Sequence, residues 1–178
     1  MAHYLVIAAS SLIGQSVVKA LISQGDTVFT TARDDSKIQP NAILDATDFD
    51  AVNEVFKQAG TVDGVVNCAG SLLLKNAHIT SKEQYQAVID ASLTTAFATV
   101  RGAGAHMKQG GSVVLISSAA AMVGIANHEA IAAAKAGIIG LAQSAAATYA
   151  NFNLRFNVIA PGMTNTPLTA QLIGNPLA

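Results

Sequence analysis

Lys135 is the one cation in the run HEAIAAAKAG, residues 128–137, and in the Ala-, Ile- and Gly-rich stretch around it. An ammonium is costly away from water unless it finds partners. Lys135 therefore either reaches solvent or serves a site. A second set of candidate donors lies near the start of the chain. Ser10, Ser11 and Gly14 follow the apolar run His3–Ala9 and open a segment with apolar residues at helical spacing. Such a strand–turn–helix junction can hold an anion, because a helix start offers free N–H groups and a positive dipole end. A dinucleotide loop wants glycines there, so that the backbone can approach a pyrophosphate. Only Gly14 is present, and taken alone the segment reads as an ordinary strand–helix turn. The next strand-like run, Thr27–Ala32, ends at Arg33. An acidic residue there would pair with a ribose diol; Ala32 leaves that place empty, and Arg33 offers a fork for a 2′-phosphate. This favours NADP over NAD. The plainer alternative for Arg33 is a solvated loop charge, with Asp34 and Asp35 next to it.

The elements that would position these groups alternate along the chain. Apolar or β-branched runs at 3–9, 27–32, 42–44, 62–68, 112–117 and 154–160 are too short for helices and read as strands. Helical spacing fills 13–23, 48–59 and 129–150. Thr80-Ser81-Lys82-Glu83 reads as a capping box, with Thr80 as cap and Glu83 reaching back, and opens a helix to about residue 106. Strands alternating with helices predict an α/β fold: a doubly wound parallel sheet in three αβα layers. Ligands of such sheets sit at the carboxyl ends of the strands, so chemistry is expected just after each strand.

Composition narrows the function. The 178 residues are 51% hydrophobic and 12% charged, which predicts one domain with a real core. A net charge of −1 without a Lys/Arg cluster excludes a nucleic-acid partner. Cys68 is the single cysteine, so no internal disulfide is expected, and its default role is a small buried residue. No metal-ligand cluster stands out. The start lacks the pattern of a signal peptide, and polar residues break the Ala-rich stretches. No membrane span is expected, and the cytoplasm is the expected location.

Taken in order, the motifs after successive strands resemble the short-chain dehydrogenase/reductase family. Asp45-Ala46-Thr47-Asp48 resembles its adenine-contacting turn, with Asp45 as the contact. Asn67-Cys68-Ala69-Gly70 resembles its Asn-Asn-Ala-Gly signature. Ile116-Ser117-Ser118 resembles the segment that carries the catalytic serine, and Lys135 sits where the family keeps its lysine. Pro161-Gly162-Met163-Thr164-Asn165-Thr166 resembles the Pro-Gly-x-x-x-Thr turn that seats the nicotinamide. The resemblance implies a Rossmann fold, NADP (or NAD) as cofactor and a small carbonyl or alcohol as substrate. It also implies Ser118 and Lys135 as catalytic groups, with Lys135 holding the ribose as well. Asn67, Ala69, Gly70, Pro161, Gly162 and Thr166 would contact the cofactor.

The same comparison exposes departures. The family's Thr-Gly-x-x-x-Gly-x-Gly loop is here Ile7, Ala8, Leu12 and Gly14. Leu12 puts a branched side chain where the backbone should meet phosphate, and its Cβ excludes conformations that glycine adopts cheaply. The family's Tyr-x-x-x-Lys pair keeps its lysine only. Counting from Ser118 at the family spacing reaches Ile131, and the usual asparagine falls at Ser92. In the family the tyrosine moves the proton on the substrate oxygen, helped by the neighbouring ammonium, and isoleucine has no proton to give. His128 is a candidate substitute, although a histidine at a helix entry also reads as a cap or surface residue. Tyr4, Tyr85 and Tyr149 are expected to be packing residues.

The family continues past the Pro-Gly turn with a further helix and strand. Residues 1–178 therefore read as a single Rossmann-type domain without that segment: either the chain is a fragment of a longer one, or the protein lacks the segment and its bare sheet edge needs a cover. The helix around Ala130–Ala150 is apolar on most sides, which implies burial on more than one face. In the family the two long helices form a dimer interface, so a homodimer or homotetramer is expected. Two readings compete: an NAD(P)-dependent oxidoreductase with an altered catalytic group, or a non-catalytic nucleotide-sensing or oligomer-building domain on the same scaffold.

Overall fold

The computed structural model describes residues 1–170. In chain order the main elements are β1 (His3–Ile7), α1 (Leu12–Ser23), β2 (Thr27–Ala32), β3 (Ala42–Ile43), α2 (Phe49–Ala59) and β4 (Gly64–Asn67). They continue with α3 (Lys82–Ile89), α4 (Thr95–His106), β5 (Gly111–Ile116), α5 (Glu129–Thr148) and β6 (Leu154–Ile159). All pairings are parallel, in the order β3-β2-β1-β4-β5-β6. The sheet reverses direction of growth between β1 and β4, which puts the switch point where the carboxyl ends of these two strands meet.

Alternation along the strands builds two faces. Leu5, Ile7, Val65, Val113 and Leu115 turn to one side and form a core with Val52 and Phe56 of α2, Val100 of α4 and Ile138 of α5. Val6, Val28 and Val66 alternate to the other side, where α1 packs on β1 and β2. This is the three-layer arrangement expected. The helix Glu129–Thr148 is long and apolar enough by composition to cross a membrane, but Ala134, Ile138, Ala142 and Ala145 on it are buried within this fold.

Local structure departs from the sequence expectations at three places. Thr80 is not the cap: its hydroxyl donates back to the Asn76 carbonyl at 2.9 Å and closes the preceding turn. Ser81 caps instead, accepting from the Gln84 amide at 3.3 Å, while Gln84 accepts from the Ser81 amide at 3.2 Å. Glu83 has no part in this box. The expected helix from residue 81 to 106 is interrupted by a π turn over Asp90–Thr94. Among the tyrosines, Tyr149 packs on Phe156 with ring centroids 5.7 Å apart, and Tyr4 lies against the face of Gly64. Tyr85 is 46% exposed, so it is a surface residue rather than a packing one.

Candidate active site

Lys135 lies one turn and a half into α5, and only 7% of it is exposed. Its ammonium donates to the Ile116 carbonyl at 2.8 Å, the last residue of β5. Ser117 answers from the strand side: its buried hydroxyl donates to the Lys135 carbonyl at 2.8 Å. These two bonds clamp α5 to the carboxyl end of β5. Burial pulls the Lys135 ammonium down to about 8, partly offset by Cys68 beside it. Burial pushes the Cys68 thiol up to about 12, against the pull of Lys135. The cysteine is inert at neutral pH, whereas the lysine titrates close to it.

Gly70 borders the same spot from the loop after β4. A Cβ there would stand 3.1 Å from Lys135 Nζ and 4.0 Å from Ser92 Oγ. The missing side chain keeps this space for the lysine. The hydroxyls of Ser71 and Ser92 are buried without a hydrogen-bond partner among the described residues. Buried hydroxyls are rarely left so. Together with the spare donors of Lys135, the Ser92 hydroxyl fits a polar group bound at this point. Ser92 lies within the π turn and is 1% exposed.

Asn67 is 3% exposed and holds the loop rather than facing outward. Its Nδ2 donates to Thr99 Oγ1 at 3.0 Å, and its Oδ1 accepts the Ala69 amide at 2.8 Å. Thr99 passes the chain on to the Thr95 carbonyl at 2.8 Å. Ser118 leaves β5 in extended backbone, and its Oγ accepts the Ala120 amide at 3.2 Å. The hydroxyl keeps its proton to donate. The Ala119 amide donates to the Pro161 carbonyl at 2.8 Å, which draws the Pro161-Gly162 turn to Ser118. Thr166 sits further along, its amide donating to Thr169 Oγ1 at 3.1 Å.

Ile131, one turn before Lys135, is 3% exposed. It packs in a small cluster with Val88, Ala130 and Ala134, lined by Leu73 and Ile89. The place expected to hold a phenol is thus a packed apolar contact between α5 and α3. His128 precedes α5, and its Nδ1 pairs with the Ala126 carbonyl at 2.7 Å. That bond is local to the loop.

The residues expected to hold the nucleotide sit around β1 and β2. Ser11 caps α1, its Oγ accepting the Gly14 amide at 3.0 Å. Ala8 takes φ 58°, a left-handed conformation, in the position where the resemblance expects a glycine. Gly14 is indispensable: a Cβ there would come 2.6 Å from the Ala8 carbonyl oxygen and 2.8 Å from Ala9 Cα. Leu12 opens α1 and is not among the positive-φ residues; its side chain is 44% exposed. The conformational objection to Leu12 therefore falls, because this backbone asks nothing of glycine there. Gln15 Nε2 donates to the Ser10 carbonyl at 2.9 Å and steadies the turn. Arg33 and Asp45 are both exposed at the ends of β2 and β3. Asp45 Oδ1 accepts the amide and hydroxyl of Thr47 at 3.0 and 2.7 Å, and these bonds, with Arg33 nearby, hold its carboxyl below the usual range.

The fold thus gathers Ser118, Lys135, Gly70 and the Pro161 turn at one strand-end cleft, and Ser10, Ser11, Gly14, Arg33 and Asp45 along the neighbouring strand ends. Ser117, Thr99 and Ser71 were not foreseen. The doublet Ser117-Ser118 was a signal for the first, since alternation must turn one serine of a pair inward. The other two carried none.

Known proteins agree with this architecture. Residues 7–177 match the family model described as enoyl-(acyl carrier protein) reductase. A 3-oxoacyl-[acyl-carrier-protein] reductase MabA from Mycobacterium bovis is 33% identical over 172 residues, 90% of this chain and 68% of that protein. A trans-4-hydroxycyclohexanecarboxylate dehydrogenase from Sinomonas cyclohexanicum is 37% identical over 134 residues, 72% of this chain and 52% of that protein. The chain therefore spans about half to two thirds of these relatives' length. A short-chain type dehydrogenase/reductase from Mycobacterium ulcerans superposes with a TM-score of 0.93 at 25% identity, covering 99% of this chain and 72% of that one. The chain belongs to the short-chain dehydrogenase/reductase family.

Proposed function

We propose that the protein is an NADP-dependent oxidoreductase acting on a small carbonyl or alcohol, with its proton-transfer group altered. One observation carries this reading: Lys135 is buried where β5, α5 and the loop after β4 meet, with a carbonyl as partner and no carboxylate among the described residues. A buried lysine without an acid is expensive, and a site for it to serve is the simplest return. The unpartnered Ser92 hydroxyl, next to Gly70 and the Lys135 ammonium, supports a nicotinamide ribose at the same place.

When bound, the nicotinamide cofactor supplies or takes up the hydride. Lys135 holds ribose hydroxyls through the donors that Ile116 leaves free. Ser118 orients the substrate oxygen. Asn67 fixes the loop so that Ala69 and Gly70 line the cofactor. Pro161, Gly162 and Thr166 border the nicotinamide end. At the other end Ser10, Ser11 and the first amides of α1, around Gly14, receive phosphate. Arg33 takes the 2′-phosphate, and Asp45 the adenine. Ile131 moves no proton, so protonation of the substrate oxygen falls to solvent or to the Lys135 ammonium, at a cost in rate. The cytoplasm is the working location, and the exposed small residues of α5 with the 48% exposed Phe97 of α4 suit self-association as a homodimer or homotetramer.

A second reading rests on Ile131. Its burial against α3 suits a domain that keeps the scaffold for nucleotide sensing or assembly without turnover. NADPH consumption over a panel of simple carbonyls separates the two. The oxidoreductase reading expects slow turnover by the natural chain and about a hundredfold gain in Ile131→Tyr. No gain in a variant that binds NADPH supports the non-catalytic reading.

A further inference from the structure

A cavity of about 540 Å³ lies beside α1, away from Lys135, and shares only Ala9 with the first loop. Its origin is visible in the topology. Parallel strands usually need a crossover of about a dozen residues or more, most often a helix. β2 and β3 pair in parallel, yet residues 33–41 between them are a helix-free loop. The flank of α1 that a crossover helix would cover is left open. Val18, Ile22 and Ile38 form its apolar walls, and Ile22 is 58% exposed.

The polar groups on the rim are not equivalent. Thr30 Oγ1 donates to Asn41 Oδ1 at 2.9 Å, Ser23 Oγ to the Ala20 carbonyl at 2.7 Å, and Gln15 Nε2 to the Ser10 carbonyl at 2.9 Å. These donors are occupied. Lys19 is the one charged group of the lining, no acidic residue lines the cavity, and Lys19 makes no ion pair among the described residues. The cavity size is that of a small-ligand pocket, mostly apolar with few polar groups. We propose that this cavity binds an amphipathic carboxylate, its hydrocarbon body against Val18, Ile22 and Ile38 and its carboxylate on Lys19. A charge-assisted contact at the rim then sets the ligand class.

Calorimetric titration of the whole chain with octanoate, octanol and acetate tests this. Octanoate binds saturably at one site, octanol about tenfold more weakly, and acetate without measurable heat. Lys19→Gln brings octanoate to the level of octanol. Ile38→Trp, which fills the cavity, removes both. Gln39→Glu, on the exposed loop, weakens octanoate and leaves octanol unchanged, and it keeps the test open where Ile38→Trp does not fold. Absence of saturable binding, equal affinity for octanoate and octanol, or octanoate binding indifferent to Lys19→Gln and Gln39→Glu each overturns the proposal.

Discussion

The strand ends expected to hold the nucleotide and those expected to carry the hydride chemistry depart from the family pattern in opposite ways. Around β1 and α1 the residue types change while the geometry holds. Ala8 still takes the left-handed conformation, Gly14 still lets helix meet strand, and Ser11 still closes the helix start. Around β5 and α5 the residue types that the resemblance expects are present except at Ile131, where it expects a phenol. Ser118 and Lys135 keep their places, and Ile131 turns the position between them into packing. Backbone geometry can be met by several side chains, whereas a proton cannot be moved by a methyl group. Loss of glycines is therefore the milder departure, although it is the more conspicuous in sequence.

Substitutions probe each half. Gly14→Val has the largest expected effect, since the new Cβ meets backbone at 2.6 Å that cannot give way. Overpacking of this kind costs about 3 kcal/mol, read by urea unfolding. A Gly14→Val protein of natural stability would show that the first loop no longer holds this geometry.

The hydride half is tested through Lys135. Its folded value of about 8 lies below the usual 10.5, so the unfolded chain holds this proton more firmly than the folded one. Stability is then lowest below pH 8 and rises as pH climbs towards 10.5, by about 1 kcal/mol between pH 7 and pH 9. Cys68 works in the opposite sense above pH 9, because its folded thiol is raised to about 12 from 9.0 and the unfolded chain ionises first. In Lys135→Met the rise between pH 7 and 9 disappears. A rise that survives in the variant would mean that Lys135 is not the buried ammonium described.

The smallest expected effect separates the two serines. Ser11→Ala removes a helix cap and costs about 1 kcal/mol. Ser118→Ala loses one bond to a single short turn and costs within about 0.5 kcal/mol, while its effect on turnover is much larger. The reverse order of stability costs would blur the contrast between a structural and a chemical serine.

Strand and helix order was legible because each strand is a short, nearly continuous apolar run flanked by turn residues, the pattern of a sheet buried on both faces. The strand-end motifs were legible for the same reason. The capping box was misread by one residue, since Thr80 and Ser81 are both good caps and the sequence does not show that Thr80 closes the preceding turn. The π turn at Asp90–Thr94 has no sequence mark, and without it the burial of Ser92 was unreadable. Ile131 stands in the sequence where the resemblance expects a phenol, but its partners Val88, Leu73 and Ile89 come from two distant segments and needed the fold. Of the two objections to Leu12, the conformational one falls, because Leu12 has no positive φ, while its branched side chain still stands at the start of α1.

The central claim is that the cleft still binds a nicotinamide dinucleotide and prefers the 2′-phosphate form. Fluorescence titration of the natural chain with NADPH and NADH tests it directly. The account predicts saturable binding of both, tighter for NADPH, with the preference abolished in Arg33→Ala. No response to either nucleotide at about millimolar concentration, or tighter binding of NADH, would contradict it.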